Sequence, residues 1–369
     1  MRKESKSFIL FLLLFLFICQ SCENNRNEVT IGCILPLTGI AAEFGVDNKN
    51  GITLGLNDLN EMRFLENETF NAIFEDSKND PKVAASAFHR LLMQHGIAAY
   101  FISMSGISMA LKPLIEENEI PALCVASATG LTQDSNYIFR LLPTVDYQAE
   151  QLANSIASIP EIRNKNGSLL IINDDFGNSF QQAFIITAST LGLPPSYVSQ
   201  FDKNSYNFRE IIAKSMEKRP FYFVIAGYGS SLGTLIKQLR EFGFNGPIYG
   251  TPEMAYPEVL KIVGRDLGEA YVIDFKIDYD DTSVKKFINE YKNKFQSEPS
   301  MDSFIGYDGT LIFAHAYKTY KSLKLKSLRD GLLYVKDLKG LTGKLSVRED
   351  GNVEFSLYVK KLDNFKAAK

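Results

Sequence analysis

Histidine is scarce in this sequence, with three in 369 residues. His89, His95 and His315 lie far apart and lack ligand spacing, so no histidine-built metal centre is expected. Basic clusters are missing too: the net charge is −3 and no Lys/Arg run is dense enough to follow a phosphate backbone, so nucleic acid is not an expected partner. Cysteine is limited to four residues, two of them (Cys19 and Cys22) at the end of an N-terminal apolar run. The other two, Cys33 and Cys124, sit in strand-like apolar stretches and read as buried free thiols, with a Cys33–Cys124 bridge as the alternative. Tryptophan is absent, and nothing about function turns on it. Beyond the N-terminus no segment approaches the 18 or so apolar residues of a membrane helix.

What is present begins with Arg2, Lys3 and Lys6, followed by eleven apolar residues from Phe8 to Ile18 and then Cys19-Gln20-Ser21-Cys22. A basic start, a short apolar run and a small residue before a cleavage point make a secretory signal over residues 1–22. The run is too short to span a bilayer. The stretch resembles a lipoprotein signal with Cys22 as the acylated residue, although Cys19 stands where that pattern prefers Leu, so ordinary signal-peptidase cleavage is the alternative. The expected location is the periplasm or the cell surface, on a membrane through the lipid anchor.

Strand-like and helix-like runs then alternate. Strands are expected at Val29–Leu35, Phe70–Glu75, Tyr100–Met104 and Ala122–Ala126, with helices at Phe44–Glu61, Val83–His95 and Met109–Asn118 between them. After Pro143-Thr144-Val145-Asp146 the rhythm restarts, with strands at Ser168–Asn173, Tyr197–Phe201, Phe221–Ala226 and Pro247–Tyr249. Such alternation predicts an α/β fold: two doubly wound parallel-sheet lobes. The tail, with helices at Ser283–Phe295 and Gly309–Tyr320 and a hairpin within Gly340–Phe355, is too small for a third domain. It is expected to complete the first two, so the lobes are joined by crossover strands.

Two motifs suggest chemistry. Gly229-x-Ser231-x-Gly233 fits a hydrolase nucleophile elbow, but its only downstream histidine, His315, lies in a helical apolar stretch, and no oxyanion segment accompanies it. The same glycines fail as a dinucleotide fingerprint, because the third comes one residue late and no acid ends the next strand. No cofactor and no catalytic residue are expected.

An ordered set of motifs carries a resemblance. Ile31-Gly32-x-x-x-Pro36-Leu37-Thr38-Gly39, Ala42-x-x-Gly45, Asp80-Pro81, Ser127-Ala128-Thr129, Phe139-Arg140-x-x-Pro143, Asp175-Phe176-Gly177, Gln238-Leu239-Arg240-x-x-Gly243, Gly250-x-Pro252-Glu253 and Gly340-x-x-Gly343 follow one another along nearly all of the mature chain. Together they resemble the substrate-binding proteins for branched-chain amino acids, the leucine/isoleucine/valine-binding-like group of type I periplasmic binding proteins, which feed ABC importers. The resemblance implies an N-terminal lobe of residues 28–143 plus about 272–338, and a C-terminal lobe of 144–271 plus about 339–365. It implies a cleft in which Ser105, Ser127, Ala128 and Thr129 hold a ligand carboxylate and Glu253 faces its ammonium. Phe44 and Phe176 stand where the group often carries Tyr or Trp, and Tyr228 and Phe304 add aromatic surface. The implied ligand is an amino acid or a related amide or carboxylate. The implied partner is an ABC transporter permease, and the receptor is expected to act as a monomer. A ligand sensor serving a separate signalling partner, and a serine hydrolase built on Ser231, are the alternatives.

Overall fold

The computed structural model describes residues 27–362 apart from Ile40, Gln94, His95, Thr129 and Lys203. The signal segment and Cys22 lie outside the described residues, and so does Thr129.

The first lobe runs β1 (Asn27–Leu35), α1 (Ala42–Glu61), β2 (Glu68–Asp76), α2 (Pro81–Leu92), β3 (Ile97–Ser103), α3 (Ser105–Asn118), β4 (Ala122–Val125) and β5 (Ile138–Arg140). The second runs α4 (Val145–Ala157), β6 (Gly167–Ile172), α5 (Asp175–Thr190), β7 (Tyr197–Phe201), α6 (Arg209–Met216), β8 (Tyr222–Ala226), α7 (Gly229–Glu241), β9 (Ile248–Gly250), α8 (Pro257–Val263) and β10 (Ala270–Phe275). The remainder is α9 (Thr282–Phe295), α10 (Met301–Leu323), α11 (Leu328–Leu333), β11 (Leu338–Gly340), β12 (Gly343–Val347), β13 (Val353–Glu354) and β14 (Leu357–Lys361).

The first sheet has the order β2-β1-β3-β4-β5, all parallel. The second has β7-β6-β8-β9-β10-β14, parallel except for the β10–β14 pair. In each lobe the second strand lies outside the first and the third lies on its other side. This is the doubly wound order, and it opens a crevice at the carboxyl ends of the first and third strands. Strands β4, β6 and β8 are buried throughout, as parallel strands covered on both faces must be. Each sheet has a separate apolar core on either face.

Local chemistry fixes the element starts. Asp80 caps α2, accepting from the amides of Lys82 (2.7 Å) and Val83 (3.2 Å), and Pro81 takes the first helical position, where no amide is needed. Helix α3 begins at Ser105 and runs through Pro113, earlier than its apolar spacing suggested. Helix α10 begins at Met301, two turns before the expected Gly309. Gly306 and Gly309 weaken its intrinsic propensity, and packing on α1 supplies what propensity lacks. There the helices cross with almost no gap: a Cβ on Gly51 would stand 1.9 Å from the Ser303 carbonyl oxygen, and one on Gly306 would stand 2.4 Å from that of Asn48. Asp58 pins the seam, with one oxygen 2.6 Å from Lys286 Nζ of α9 and the other accepting from the Tyr307 hydroxyl at 2.7 Å.

The chain crosses between lobes three times: after β5, after β10 and before β14. The lobe limits differ from those the sequence suggested. Strand β10 stays in the second sheet to Phe275, past the expected limit at 271. The segment containing β11–β13 packs through Leu341, Leu345, Val347, Val353 and Phe355 into the first lobe's core, not the second's. Only β14 returns to the second sheet. The deciding contact is Asp308 of α10, buried in the first lobe. It accepts from the amides of Leu341 (2.6 Å) and Thr342 (2.9 Å) and from the Thr342 hydroxyl (2.6 Å). Cys33 and Cys124 are both buried free thiols, and burial pushes the Cys124 thiol up to about 12.

Candidate ligand-binding cleft

Between the lobes lies a cleft of about 620 Å³, within the range of small-molecule sites. The first lobe contributes the carboxyl ends of β3 and β4 and the start of α1; the second contributes the turn after β9 and the start of α5. The crossing segments and the first turns of α10 close the sides.

On the first lobe, the β3–α3 junction is held open by Met104, at φ 84° and ψ 129°. A non-glycine residue in such a conformation costs about 1–3 kcal/mol. The twist sends the chain directly from Ser103 into the first turn of α3, whose free amides and dipole favour an anionic group. Ser105 Oγ accepts from the Ser127 amide at 3.1 Å, tying the end of β3 to the end of β4. Both residues line the cleft. Buried Arg140 reaches the Ser127 carbonyl from behind, at 3.5 Å. Ala128 instead packs on the lobe's own core.

On the second lobe, Glu253 stands in the short helical turn Pro252–Ala255 that follows β9. Burial raises its pKa, and among the described residues its Oε2 has no hydrogen-bond partner. Among the described residues, Ser103 Oγ (the residue is 1% exposed), Gln148 Oε1 and Ser300 Oγ are further partnerless buried atoms on cleft-lining residues. A buried polar atom without a partner costs about 1–3 kcal/mol, and more when charged. Several on residues that line one cavity mark a place where a polar ligand could make the missing bonds.

The aromatic positions divide. Phe44 (37% exposed) and Phe176 line the cleft as apolar walls. Tyr228 does not line it; it meets Phe176 edge-on at 5.9 Å, and its hydroxyl donates to Asp174. Burial and that bond push the phenol up to about 12. Phe304 is placed in the first lobe's core, 4.9 Å from Phe287. Its neighbours Met301, Asp302 and Ile305 take the cleft face of α10, and one step along a helix turns a side chain by about 100°.

Sequence reasoning missed Asp47, Gln148, Tyr256, Asp274, Asp302 and Lys360, all of which line the cleft. Asp302 has its pKa raised to about 7, chiefly by burial and then by Asp47 nearby. Helical spacing places Asp47 beside Phe44, and Tyr256 follows Glu253 by three, but neither forms a motif.

No Ser–His pair exists among the described residues. Ser231 is buried inside α7 with its hydroxyl donating to the Tyr228 carbonyl at 3.2 Å. His315 packs on Phe64 in the other lobe, at 4.9 Å.

Two doubly wound lobes closing on a cleft at their strand ends define a bilobal solute-binding fold. The chain belongs to the periplasmic binding protein family, whose model matches residues 28–367. That family is one of extracytoplasmic solute-binding proteins. Among curated relatives, the chain is 21% identical over 242 residues to a Leu/Ile/Val-binding protein homologue of Brucella melitensis; the match spans 65% of each chain. Among solved structures, it matches a candidate branched-chain amino acid ABC transporter of Rhodospirillum rubrum with a TM-score of 0.78 at 20% identity, covering 90% of this chain and 96% of that one. It also matches the branched-chain amino acid transporter substrate-binding protein of Streptococcus pneumoniae, solved with isoleucine, with a TM-score of 0.73 at 21% identity over 92% and 97%. These likenesses give the fold. Among the described residues no helix is long and apolar enough to cross a membrane.

Proposed function

We propose that this protein is a non-enzymatic receptor that closes its lobes around an amino acid and presents it to an ABC importer permease. The carrying observation is the partnerless buried carboxylate oxygen of Glu253, in one cleft with the Ser105–Ser127 pair and the first turn of α3. A zwitterion suits that polarity: its carboxylate takes the amides and hydroxyls of the first lobe, and its ammonium takes Glu253. Charge-assisted bonds of this kind are worth roughly 1.5–3 kcal/mol each. Ala128 and Tyr228 support the site from its margin in this reading, and Cys22 carries the acyl anchor.

A thermal-shift screen over the amino acids tests the proposal. A ligand at 100 times its Kd adds about 2.7 kcal/mol of stability. Glu253→Gln is expected to weaken binding at least tenfold with the fold intact, because one partner of a desolvated pair is lost. No shift from any amino acid, or unchanged affinity in the variant, contradicts the assignment.

A further inference from the structure

The cleft's charge is one-sided. Among the described residues, Glu43, Asp47, Glu253, Asp274 and Asp302 line it against one cation, Lys360, whose Nζ lies 3.4 Å from Asp274 and is thereby engaged. A zwitterionic amino acid brings no net charge, and Glu253 alone is enough for its ammonium. Three further carboxylates remain, and they stand together at the α1–α10 end.

The helix seam is what gathers them. Because Gly51 and Gly306 bring α1 and α10 into backbone contact, the start of α10 docks on the first turns of α1. Asn48 Nδ2 donates to the Asp302 carbonyl at 2.8 Å and locks that register. Asp302 is therefore held beside Asp47 and within electrostatic reach of Glu43. Among these groups, one oxygen of Asp47 accepts from the Tyr291 hydroxyl at 2.7 Å. Among the described residues, no ion pair joins a cationic side chain to any of the three. Burial and like charge together hold Asp302 partly protonated near neutral pH.

The bland alternative makes Asp302 a helix-start acid and Glu43 a solvated one. It does not account for the partnerless oxygens that share this cavity, Ser300 Oγ two residues from Asp302 and Glu253 Oε2 on the facing lobe. Tyr256 lies within electrostatic reach of both Glu253 and Asp302, so the two acidic regions belong to one space. The carboxylates do not form a metal cage: no group of three or more metal-ligating side chains converges among the described residues. Phe44, Met301 and Ile305 give the same cleft apolar lining beside these acids.

We infer that the ligand is a basic amino acid, whose side-chain ammonium or guanidinium is received by Asp302, Asp47 and Glu43 while Glu253 takes its α-ammonium. The inference rests on the amino-acid reading above and sharpens it. An aliphatic stem running over Phe44 and Met301 toward a charged tip matches an apolar wall ending in carboxylates. Anionic ligands, and carboxylates without an amine, are repelled by the same lining.

Isothermal titration of the mature protein with L-lysine, L-arginine, L-leucine and L-glutamate tests it. Lysine or arginine is expected to bind at least tenfold tighter than leucine, and glutamate weakest. Asp302→Asn and Asp47→Asn are expected to cut the affinity for the basic ligand at least tenfold while leaving leucine binding equal or tighter. Glu253→Gln weakens both. Leucine binding as tightly as lysine and arginine overturns the inference and leaves the amino-acid reading standing; no binding of any amino acid removes both. If a variant fails to fold, the ranking of ligands on the unaltered protein still decides.

Discussion

Asp302 shows what a single side chain contributes when burial and neighbours act together. An exposed carboxyl releases its proton near pH 4, but burial beside Asp47 and Glu43 keeps this one protonated up to about 7. Between those values the folded chain binds more protons than the unfolded one, so stability falls as pH rises through the window. Asp308, held up to about 6 by burial, acts in the same sense. The melting temperature of the unliganded protein is therefore expected to drop from pH 5 to pH 8, and Asp302→Asn to flatten that slope by removing one of the contributions, with those of Asp308 and Glu253 remaining. Equal slopes in protein and variant would show that Asp302 titrates normally. Individual residues were unevenly legible. Glu253 and Ser127 follow strands within motifs, so their place at a strand end could be read from the sequence. Asp47 and Asp302 could not, because they meet only through a helix crossing 255 positions apart. Phe304 was misplaced for a smaller reason: an unsettled helical phase of one residue turns a side chain from cleft to core.

At the scale of elements, alternation carried most of the fold. Long buried strands and amphipathic helices declare themselves by period, and most limits fell within a few residues of those expected; the starts of α3 and α10, which lie one and two turns earlier, did not. Strand β5 was not among the expected strands, and neither were β10 and β14. The ownership of β11–β13 depended on one buried side chain that no period records. Asp308 supplies the acceptor for two backbone amides and a hydroxyl in the turn between β11 and β12. Asp308→Ala leaves those donors buried without partners and is expected to cost roughly 3–5 kcal/mol, read by chemical denaturation. A loss under about 1 kcal/mol would mean that the turn is held by its apolar neighbours instead. Ligand affinity serves as the control, because Asp308 is not part of the cleft lining.

For the whole molecule, three chain crossings leave the lobes joined by narrow segments that also line the cleft. A rotation about those segments changes the cleft while each sheet keeps its own cores, which is the geometry of hinge closure. Membrane attachment belongs to this scale as well. In the proposed reading Cys22 carries the acyl chains, and Cys22→Ser is expected to move the protein from the membrane fraction to the soluble fraction without altering ligand affinity. A variant that stays with the membrane would place the anchor elsewhere.

The same crossings govern the order in which the molecule is completed. Residues 338–355 furnish part of the first lobe's core, and β14 adds the sixth strand of the second sheet. A chain emerging from its N-terminus thus holds two unfinished lobes until its last few dozen residues arrive. Contacts of such long sequence separation form slowly. Delayed folding suits a polypeptide that is threaded across a membrane before it folds, and it makes the C-terminal strand the closing step of assembly as well as an edge of the binding cleft.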